Sequence, residues 1–263
     1  METGQPGGQL TLSVLKALDV LECLQSQRAP LTPAEIASRL GISRPTAYRL
    51  LATMANRGWV VKDPQGASRY RLGFRILQLA GACLGDLDVR LVARPFMEEL
   101  SRRYDESVSL FLLDDGEVVF IDRVISSRPL QTFLPLGKRG CLHSKAVGKA
   151  ILSHLPWERV EHIIRTCGLE AKTTRTITDP QQLRTELARV RERGYGTADQ
   201  EDVENLRAVG AAILDFQGLP VGGLAISALV SQMSDERMVL LGAAIRDTCT
   251  RVSEQLGYSG RHV

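Results

Sequence analysis

Cysteine is scarce in this sequence, and no two cysteines stand at the spacing of a metal site. The five cysteines are odd in number and widely separated, without a Cys-x-x-Cys pair: Cys23, Cys83, Cys141, Cys167 and Cys249. A disulfide framework and a structural zinc site are therefore not indicated. We expect reduced and mostly buried thiols, and no metal or other cofactor.

Long apolar runs are missing as well. No stretch reaches the roughly 18–20 consecutive apolar residues that cross a bilayer. The N-terminal residues 1–9 are polar and glycine-rich, unlike a signal peptide. We therefore expect no membrane association and a cytoplasmic location. The contents of 44% hydrophobic and 24% charged residues are typical of folded domains, and 263 residues suffice for two of them.

Residues 32–63 predict two short helices joined by a tight turn. The first helix begins at Thr32, whose hydroxyl can accept a hydrogen bond from the amide of Glu35. Gly41 ends this helix and Ser43 caps the second one. One apolar stripe of the second helix faces a core and consists of Ala47, Leu50, Leu51 and Met54.

The opposite face of the second helix is basic and polar. It carries Arg44, Thr46, Tyr48, Arg49 and Thr53. Two short helices of this kind have the shape of a helix-turn-helix, whose second helix lies in the major groove of DNA. From the helices alone, a plain helical pair without a DNA-binding role is the alternative.

A hairpin after the second helix favours the DNA-binding interpretation. Residues 59–63 and 69–72 predict two antiparallel strands joined by a turn. Arg69 and Arg71 make this hairpin a basic wing, since guanidinium groups bind phosphate bidentately and stay charged. A winged helix-turn-helix is therefore favoured.

The net charge of +3 is unevenly distributed along the chain. Residues 1–75 hold 10 Lys and Arg against 5 Asp and Glu, whereas the remainder holds 23 against 25. The positive charge thus coincides with the predicted helix-turn-helix, as binding to phosphate requires.

A helix over residues 10–25 precedes this region, and its broad apolar stripe predicts that it is buried in the same core. The stripe consists of Leu12, Val14, Leu15, Ala17, Leu18, Val20, Leu21 and Leu24. After the wing, a helical segment from residue 73 to a break near residues 85–86 is expected to connect two domains.

Strands and helices mix in the rest of the chain, which predicts an α+β domain with a mostly antiparallel sheet flanked by helices. The expected helices cover residues 87–104, 157–167, 180–193 and 235–256, and residues 140–155 are expected to pass from a glycine-rich loop into a helix. The expected strands cover 107–113, 118–124, 130–136, 206–215 and 220–229.

Four segments, in order along the chain, resemble the IclR family of bacterial transcription regulators. They are Ile42-Ser-Arg-Pro-Thr-Ala-Tyr-Arg-Leu-Leu51, Leu142-His-Ser-Lys-Ala-Val-Gly-Lys-Ala150, Arg193-Gly-Tyr-Gly196 and Gly218-Leu-Pro-Val-Gly-Gly-Leu-Ala-Ile-Ser227. The resemblance implies a winged helix-turn-helix over residues 10–72, a connector helix over 73–86 and a GAF/PAS-like effector-binding and oligomerisation domain over 87–258.

The resemblance further implies a homodimer or homotetramer on a palindromic double-stranded DNA operator, with a repressor favoured over an activator. The family usually has a second hydroxyl where Pro45 stands, which affects operator contacts rather than fold. The expected DNA-binding residues are Thr32, Ser43, Arg44, Pro45, Thr46, Tyr48, Arg49, Arg69 and Arg71.

A small organic acid is the expected effector, held where free amides and the helix dipole favour an anion. The alternative is that residues 143–149 merely form a well-capped helix with His143 as a structural cap. The effector residues implied by the resemblance are His143, Ala146, Val147, Asp199, Ala208, Val209, Ala225 and Ser227. Family members that bind small oxo-acids use Cys and two Ser where this chain has Ala208, Ala225 and Ser227. The more apolar wall, with Val209 and Ile226 beside it, favours an aromatic or otherwise apolar acid.

An enzyme is the competing function class, because Cys141, His143, Ser144 and Lys145 stand close together. A small-molecule hydrolase, or a sensor without a DNA role, could use residues 141–149. However, no Gly-x-Ser-x-Gly elbow, Ser-x-x-Lys motif from Ser144 or phosphate-binding loop accompanies them. Ser144 and Lys145 are expected to be solvated loop residues.

Overall fold

The computed structural model describes residues 10–27, 29–64, 68–79, 88–127 and 135–259. The chain forms two compact units, Met1–Asp86 and Leu87–Val263. Among the described helices, none is long and apolar enough to cross a membrane.

The N-terminal unit contains the predicted helix-turn-helix and wing. Its elements are α1 (Leu12–Gln25), α2 (Pro33–Leu40), α3 (Arg44–Asn56), β1 (Val60–Lys62) and β2 (Tyr70–Leu72). The cap of α2 is reciprocal, since the Glu35 amide donates to the Thr32 hydroxyl at 3.2 Å and the Thr32 amide donates to the Glu35 carboxylate at 2.6 Å. Gly41 ends α2 with a φ of 62°, a left-handed conformation that favours glycine. These local predictions are confirmed.

The wing is an antiparallel hairpin in which Val60 pairs with Leu72 and Lys62 with Tyr70. Leu31 adds a bridge, exchanging two backbone hydrogen bonds of 3.0 and 2.7 Å with Tyr70. The buried core of the unit lies between the helices and this hairpin and includes Val20, Leu24, Ile36, Leu51, Met54, Val60 and Tyr70.

Helix α1 is less buried than its apolar stripe predicts. Val20 and Leu24 are buried, but Leu12 is 68% exposed and Val14, Leu15 and Leu18 are also exposed. The prediction of a fully buried stripe was wrong because the wing and α2–α3 cover only the C-terminal turns of α1, so its first turns present leucine and valine to the outside of the single chain.

Over its described residues, the C-terminal unit is a six-stranded antiparallel sheet with helices packed on it. The helices are α4 (Asp88–Tyr104), α5 (Ala146–Ser153), α6 (Trp157–Cys167), α7 (Pro180–Arg193) and α8 (Asp235–Gln255), and the strands are β3 (Val108–Asp114), β4 (Glu117–Val124), β5 (Arg139–Cys141), β6 (Gly196–Asp199), β7 (Leu206–Leu214) and β8 (Pro220–Leu229). The strand order is β5-β4-β3-β8-β7-β6. The mixed fold with an antiparallel sheet is therefore as predicted.

Two short edge strands, β5 and β6, were not predicted, because three or four residues carry too little periodicity. The strand expected at residues 130–136 lies mostly outside the described residues, and its last two residues, 135 and 136, are not in a strand. The expected connector helix is described only over residues 73–79, where 75–79 are helical.

Helices cover the two faces of the sheet. On one face α8 contacts β7, where the Leu214 amide donates to the Ser253 hydroxyl at 2.9 Å. On the other face α5 lies so close to β7 that a Cβ on Gly210 would meet the Val147 amide nitrogen at 2.6 Å. Because side chains alternate along a strand, Ala208 shares the α5 face with Gly210, whereas Val209 faces the other way.

Candidate nucleic-acid interface and candidate effector cavity

The outward face of α3 presents Arg44, Tyr48 and Arg49, all exposed, with Tyr48 at 52%. Ser43 and Thr46 have a local role, since the Thr46 amide donates to the Ser43 hydroxyl at 3.3 Å and the two hydroxyl oxygens lie 2.8 Å apart. Pro45, in the first turn of α3, is also exposed. The predicted groove-facing residues thus lie together at the N-terminal half of one helix.

The two wing arginines differ in their surroundings. The Arg69 guanidinium donates to the Pro30 carbonyl at 2.7 Å and lies 3.5 Å from the Glu35 carboxylate. The Thr32 hydroxyl also donates to that carboxylate, at 2.9 Å, and the hydrogen bonds from Thr32 lower the pKa of Glu35. Arg71 is exposed, with its guanidinium 5.9 Å from the centre of the Phe74 ring. Arg69 and Thr32 therefore fasten the wing to the start of α2, while Arg71 faces outward.

A cavity of about 390 Å³ lies in the C-terminal unit between the sheet, the start of α5 and the loop before β7. This volume falls within the range of ligand sites, roughly 300–1,000 Å³. Five of the predicted effector residues line it together: Ala146, Val147, Ala208, Ala225 and Ser227.

The start of α5 offers backbone donors to this cavity. Its cap residue, Lys145, makes no side-chain hydrogen bond to the helix, and Ala146 and Val147 follow in the first turn. The first amides of a helix have no acceptor within the helix and, with the dipole, favour an anion. The cavity wall at Ala146 and Val147 is therefore suited to a carboxylate.

The loop at residues 200–205 closes one side of the cavity and is held by ion pairs. Asp202 accepts a hydrogen bond of 2.8 Å from the Ser144 hydroxyl and another from the Lys145 ammonium. Desolvation by burial favours a higher pKa of Asp202, but Lys145 and Ser144 outweigh it and hold the pKa below its usual value. Next to it, both carboxylate oxygens of Glu201 lie 2.7 Å from Nζ of the buried Lys149.

Three predicted effector residues do not line the cavity. The ring of His143 is buried, and Nε2 donates to the Glu170 carbonyl at 3.0 Å, while burial lowers the pKa of the ring. Val209 faces the opposite side of the sheet from Ala208, as alternation along β7 dictates. For the same reason Ile226 is not in the wall. Asp199 accepts hydrogen bonds from Arg207 at 2.8 Å and Arg175 at 2.7 Å.

Other residues that line the cavity were not predicted from the sequence. From the sheet they are Ser109, Phe111, Arg123, Ala198 and Leu206, and from loops Lys138, Lys145, Asp202 and Val203. Alternation along β3 could have placed Ser109 and Phe111 on one face, but which face lines a cavity depends on the strand order.

Arg123 is the missed residue with the most evident chemistry. Its Nε donates to the Ser109 hydroxyl at 3.1 Å, and its guanidinium lies 5.3 Å from the centre of the Phe120 ring. Burial lowers the pKa of Arg123. The cavity thus contains a half-buried cation in addition to the amides of α5.

The Cys141–Lys149 segment does not have the geometry of a nucleophile and base. Ser144 is fully buried and donates to Asp202, so the expectation that it is solvated was wrong, as it was for the half-buried Lys145. His143 donates to a backbone carbonyl. Within the described chain, no group of His, Cys, Asp and Glu could hold a metal ion.

The thiols of Cys23, Cys141, Cys167 and Cys249 are free. The first three are only half-buried, so the expectation of mostly buried thiols was wrong for them. Cys249 is buried, which raises its pKa to about 12.

Comparison with known proteins matches both units. The family described as "IclR helix-turn-helix domain" matches residues 13–64, and "Bacterial transcriptional regulator IclR C-terminal" matches residues 81–254. The HTH-type transcriptional regulator KdgR of Escherichia coli is 32% identical over 246 residues, covering 94% of this chain and 93% of the relative. Transcriptional repressor IclR of the same organism is 28% identical, covering 94% and 90%. Among solved structures, an IclR homolog complexed with 4-hydroxybenzoate from Microbacterium hydrocarbonoxydans is 25% identical with a TM-score of 0.78, covering 93% and 98%.

Proposed function

The chain belongs to the IclR family of bacterial transcriptional regulators, with a DNA-binding helix-turn-helix and an effector-binding domain, and on this basis we propose that it is a repressor released or retained by an aromatic or otherwise apolar organic acid. Relatives whose names describe them as repressors support repression over activation. We further propose that residues 10–72 form the DNA-binding domain, residues 73–86 the connector helix and residues 87–258 the effector-binding and oligomerisation domain. We also propose that the protein acts in the cytoplasm.

The composition of the cavity wall supports the choice of acid. Ala208, Ala225 and Phe111 give the wall an apolar surface next to the amides at Ala146 and Val147. A small oxo-acid could place its carboxylate at the same amides, but its keto oxygen would lie against the methyl groups of Ala208 and Ala225, and burying that oxygen without a hydrogen-bond partner costs about 1–3 kcal/mol. A ring with one carboxylate would bury its apolar face and keep its charge at the helix. The bound 4-hydroxybenzoate of the Microbacterium hydrocarbonoxydans homolog agrees with this preference.

We expect benzoate and 4-hydroxybenzoate to raise the melting temperature of the full-length chain, and glyoxylate and pyruvate to leave it unchanged. A ligand at a hundred times its Kd stabilises by about 2.7 kcal/mol, which corresponds to a shift of roughly 5 °C or more for a domain of this size. Differential scanning fluorimetry measures the shift, with cyclohexanol as a control for apolar binding without charge. A clear shift with the oxo-acids and none with the aromatic acids would refute the proposal.

We propose that Arg44, Tyr48 and Arg49 contact bases in the major groove. Ser43, Pro45 and Thr46 lie at the start of the same helix and belong to the same DNA-binding surface. Arg71 contacts a phosphate or the minor groove. Arg69 and Thr32 contribute to the same surface mainly by holding the wing against α2, as their hydrogen bonds to Pro30 and Glu35 support.

Arg49→Ala and Arg71→Ala should weaken operator binding in different ways. Arg49→Ala should cost about 1–3 kcal/mol on the operator and relax base preference, because a base contact is lost. Arg71→Ala should weaken specific and non-specific DNA alike and reduce the salt slope of log K by about one. Fluorescence anisotropy at several salt concentrations measures both, with the exposed Arg165→Ala in α6 as the control. A wild-type salt slope for Arg71→Ala would remove its proposed phosphate contact.

We propose that the chain acts as a homodimer or homotetramer on a palindromic operator. The exposed leucine and valine side chains in the first turns of α1 support an interface with a second copy, since apolar patches of this kind mark protein contacts. Two copies place two α3 helices on half-sites about one helical turn or a multiple of it apart. Footprinting of the DNA upstream of the protein's own gene, with and without candidate acids, tests the spacing of the half-sites. The same experiment shows whether the acid releases the protein from the operator or retains it there.

A further inference from the structure

An ion pair at the start of α5 lies inside the cavity where we propose that the acid binds. Lys145, the cap residue of α5, and Asp202, in the loop before β7, both line this cavity. The Asp202 carboxylate accepts hydrogen bonds from the Lys145 ammonium and from the Ser144 hydroxyl. Lys145 directly precedes Ala146 and Val147, whose amides are the proposed site of the acid's carboxylate. Asp202 and the acid are therefore two anions attracted to the same end of one helix.

The charge of Asp202 opposes a second carboxylate at this place. Burial favours a higher pKa of Asp202, but Lys145 and Ser144 outweigh it and hold the pKa below its usual value, so the group is ionised at neutral pH. Its side chain is 29% exposed, and like charges repel more strongly where water is partly excluded than in bulk solvent. An acid bound at the amides of Ala146 and Val147 is thus repelled for as long as Asp202 stays beside Lys145.

The Lys145 side chain is held in place by packing as well as by Asp202. It lies over Gly140 in β5, where an added Cβ would meet Cε of Lys145 at 2.3 Å. A larger residue at position 140 would therefore displace Lys145, whereas glycine leaves the space that Lys145 occupies. Because this contact involves neither Asp202 nor its loop, the ammonium can remain at the start of α5 when Asp202 leaves it.

Residues 202–204 belong to a loop with a closed base and are tied to α5 by Asp202. Gln200 and Asn205 have φ of 62° and 61°, a left-handed conformation that residues other than glycine adopt mostly in ligand-binding and switch segments. The Gln200 amide donates to the Leu206 carbonyl at 2.8 Å, and the Asn205 amide donates to the Gln200 side chain at 3.3 Å. Breaking the hydrogen bonds of Asp202 therefore releases residues 202–204 without opening the base of the loop.

We propose that Lys145 is a binding residue for the effector, whose carboxylate takes the Lys145 ammonium from Asp202 and thereby displaces residues 202–204 from the start of α5. This inference rests on the proposed function, namely that the cavity binds an organic acid at the amides of Ala146 and Val147. The exchange conserves one ion pair at Lys145 and adds hydrogen bonds from the helix amides to the new anion, so it favours the acid over Asp202.

Isothermal titration of the full-length chain with benzoate tests the exchange, because the two partners of the ion pair should have opposite effects. Asp202→Asn keeps the shape of the side chain but removes the competing charge, so it should bind benzoate at least about fivefold more tightly than wild type. Lys145→Met removes the cation and leaves Asp202 in the cavity, so it should bind benzoate at least about tenfold more weakly. If the pair merely stabilised the shape of the cavity, both variants would lose affinity.

Asp114→Asn is the matched control, because Asp114 forms an ion pair with Arg139 at the surface and is not among the described lining residues. It should bind benzoate as wild type does. Weaker or unchanged binding in Asp202→Asn overturns the inference, as does wild-type affinity in Lys145→Met. A failure of benzoate to bind either wild type or Asp202→Asn overturns the proposed function together with this inference.

Limited proteolysis with a glutamate-specific protease tests the displacement of the loop. Glu204 is exposed and lies within residues 202–204. A bound ligand usually protects a protein from cleavage. Benzoate should instead make cleavage after Glu204 several-fold faster, because cleavage follows the population of the open segment. Asp202→Asn should be cleaved faster even without the acid. Slower or unchanged cleavage of wild type in benzoate overturns the inference, and this result does not depend on the folding of any variant.

Discussion

Lys149→Met should lower the free energy of unfolding of the C-terminal unit by about 3–5 kcal/mol, the usual effect of leaving a buried charge without its partner. Lys149 is 1% exposed, and its ammonium lies 2.7 Å from both carboxylate oxygens of Glu201 and 3.9 Å from Glu186. The pair joins α5 to the loop at residues 200–205. Because Asp202 and Val203 of that loop line the cavity, the variant should also bind the effector less tightly.

The loss should depend on pH. Burial raises the pKa of Glu201 even though Lys149 opposes this shift. A carboxyl whose folded-state pKa lies above its unfolded value stabilises the folded state at low pH and loses that contribution as pH rises through the folded-state pKa. Removing Lys149 raises this pKa further. The free energy of unfolding that Lys149→Met loses relative to wild type should therefore be smaller near about pH 5 than near about pH 8.

Urea unfolding followed by Trp157 fluorescence measures this effect in a Trp59→Phe background, since the chain has two tryptophans and Trp157 is the one in the C-terminal unit. Lys172→Met is the matched control, because Lys172 pairs with Glu170 at the surface, where ion pairs contribute at most about 1 kcal/mol. The double variant Lys149→Met/Glu201→Leu should recover much of the loss. A double variant as unstable as Lys149→Met would show that packing, and not the orphaned carboxylate, causes the loss.

Ala225→Leu should lower the affinity for the acid by up to about a hundredfold and uncouple DNA binding from it. Ala225 lines the cavity and pairs with Ser109 on β3 and Gly210 on β7. A leucine there occupies space that the acid would fill, and steric overlap in a packed site typically costs about 1–3 kcal/mol, roughly fivefold to a hundredfold in affinity. The DNA-binding surface is in the other unit, so the operator should still be bound, with or without the acid.

Titration calorimetry of the acid and gel-shift assays with increasing acid measure the two parts of this prediction. Leu219→Phe adds bulk at an exposed position in the turn before β8 and should behave as wild type. Wild-type acid affinity in Ala225→Leu would show that the acid binds outside this cavity.

Much of the fold followed from residues close together in the sequence. The caps at Thr32–Glu35, Ser43, Asp179 and Ser234 all form as predicted, with the Gln182 amide donating to Asp179 at 2.8 Å. Gly41 and Gly194 end their helices in the left-handed conformation. Such interactions span three to five residues, so the sequence pattern contains both partners.

Side-chain roles that depend on distant partners were predicted less well. Arg69 was expected to contact DNA because it is a basic residue of the wing, but its guanidinium donates to the carbonyl of Pro30, 39 residues away. Ser144 was expected in solvent and is buried against Asp202, 58 residues away. A polar side chain does not indicate which distant partner it will meet, because that depends on strand order and loop placement.

By itself, the sequence therefore determined the order of elements, the winged helix-turn-helix, the family and five of the residues that line the cavity. Only the tertiary structure decided which strand face lines it, that His143, Asp199 and Val209 stay outside it, and that Arg123 lines it. The physical reason is that periodicity and capping are local, whereas the sheet register that aligns Arg123, Ser109, Ala225 and Gly210 joins strands far apart in the chain.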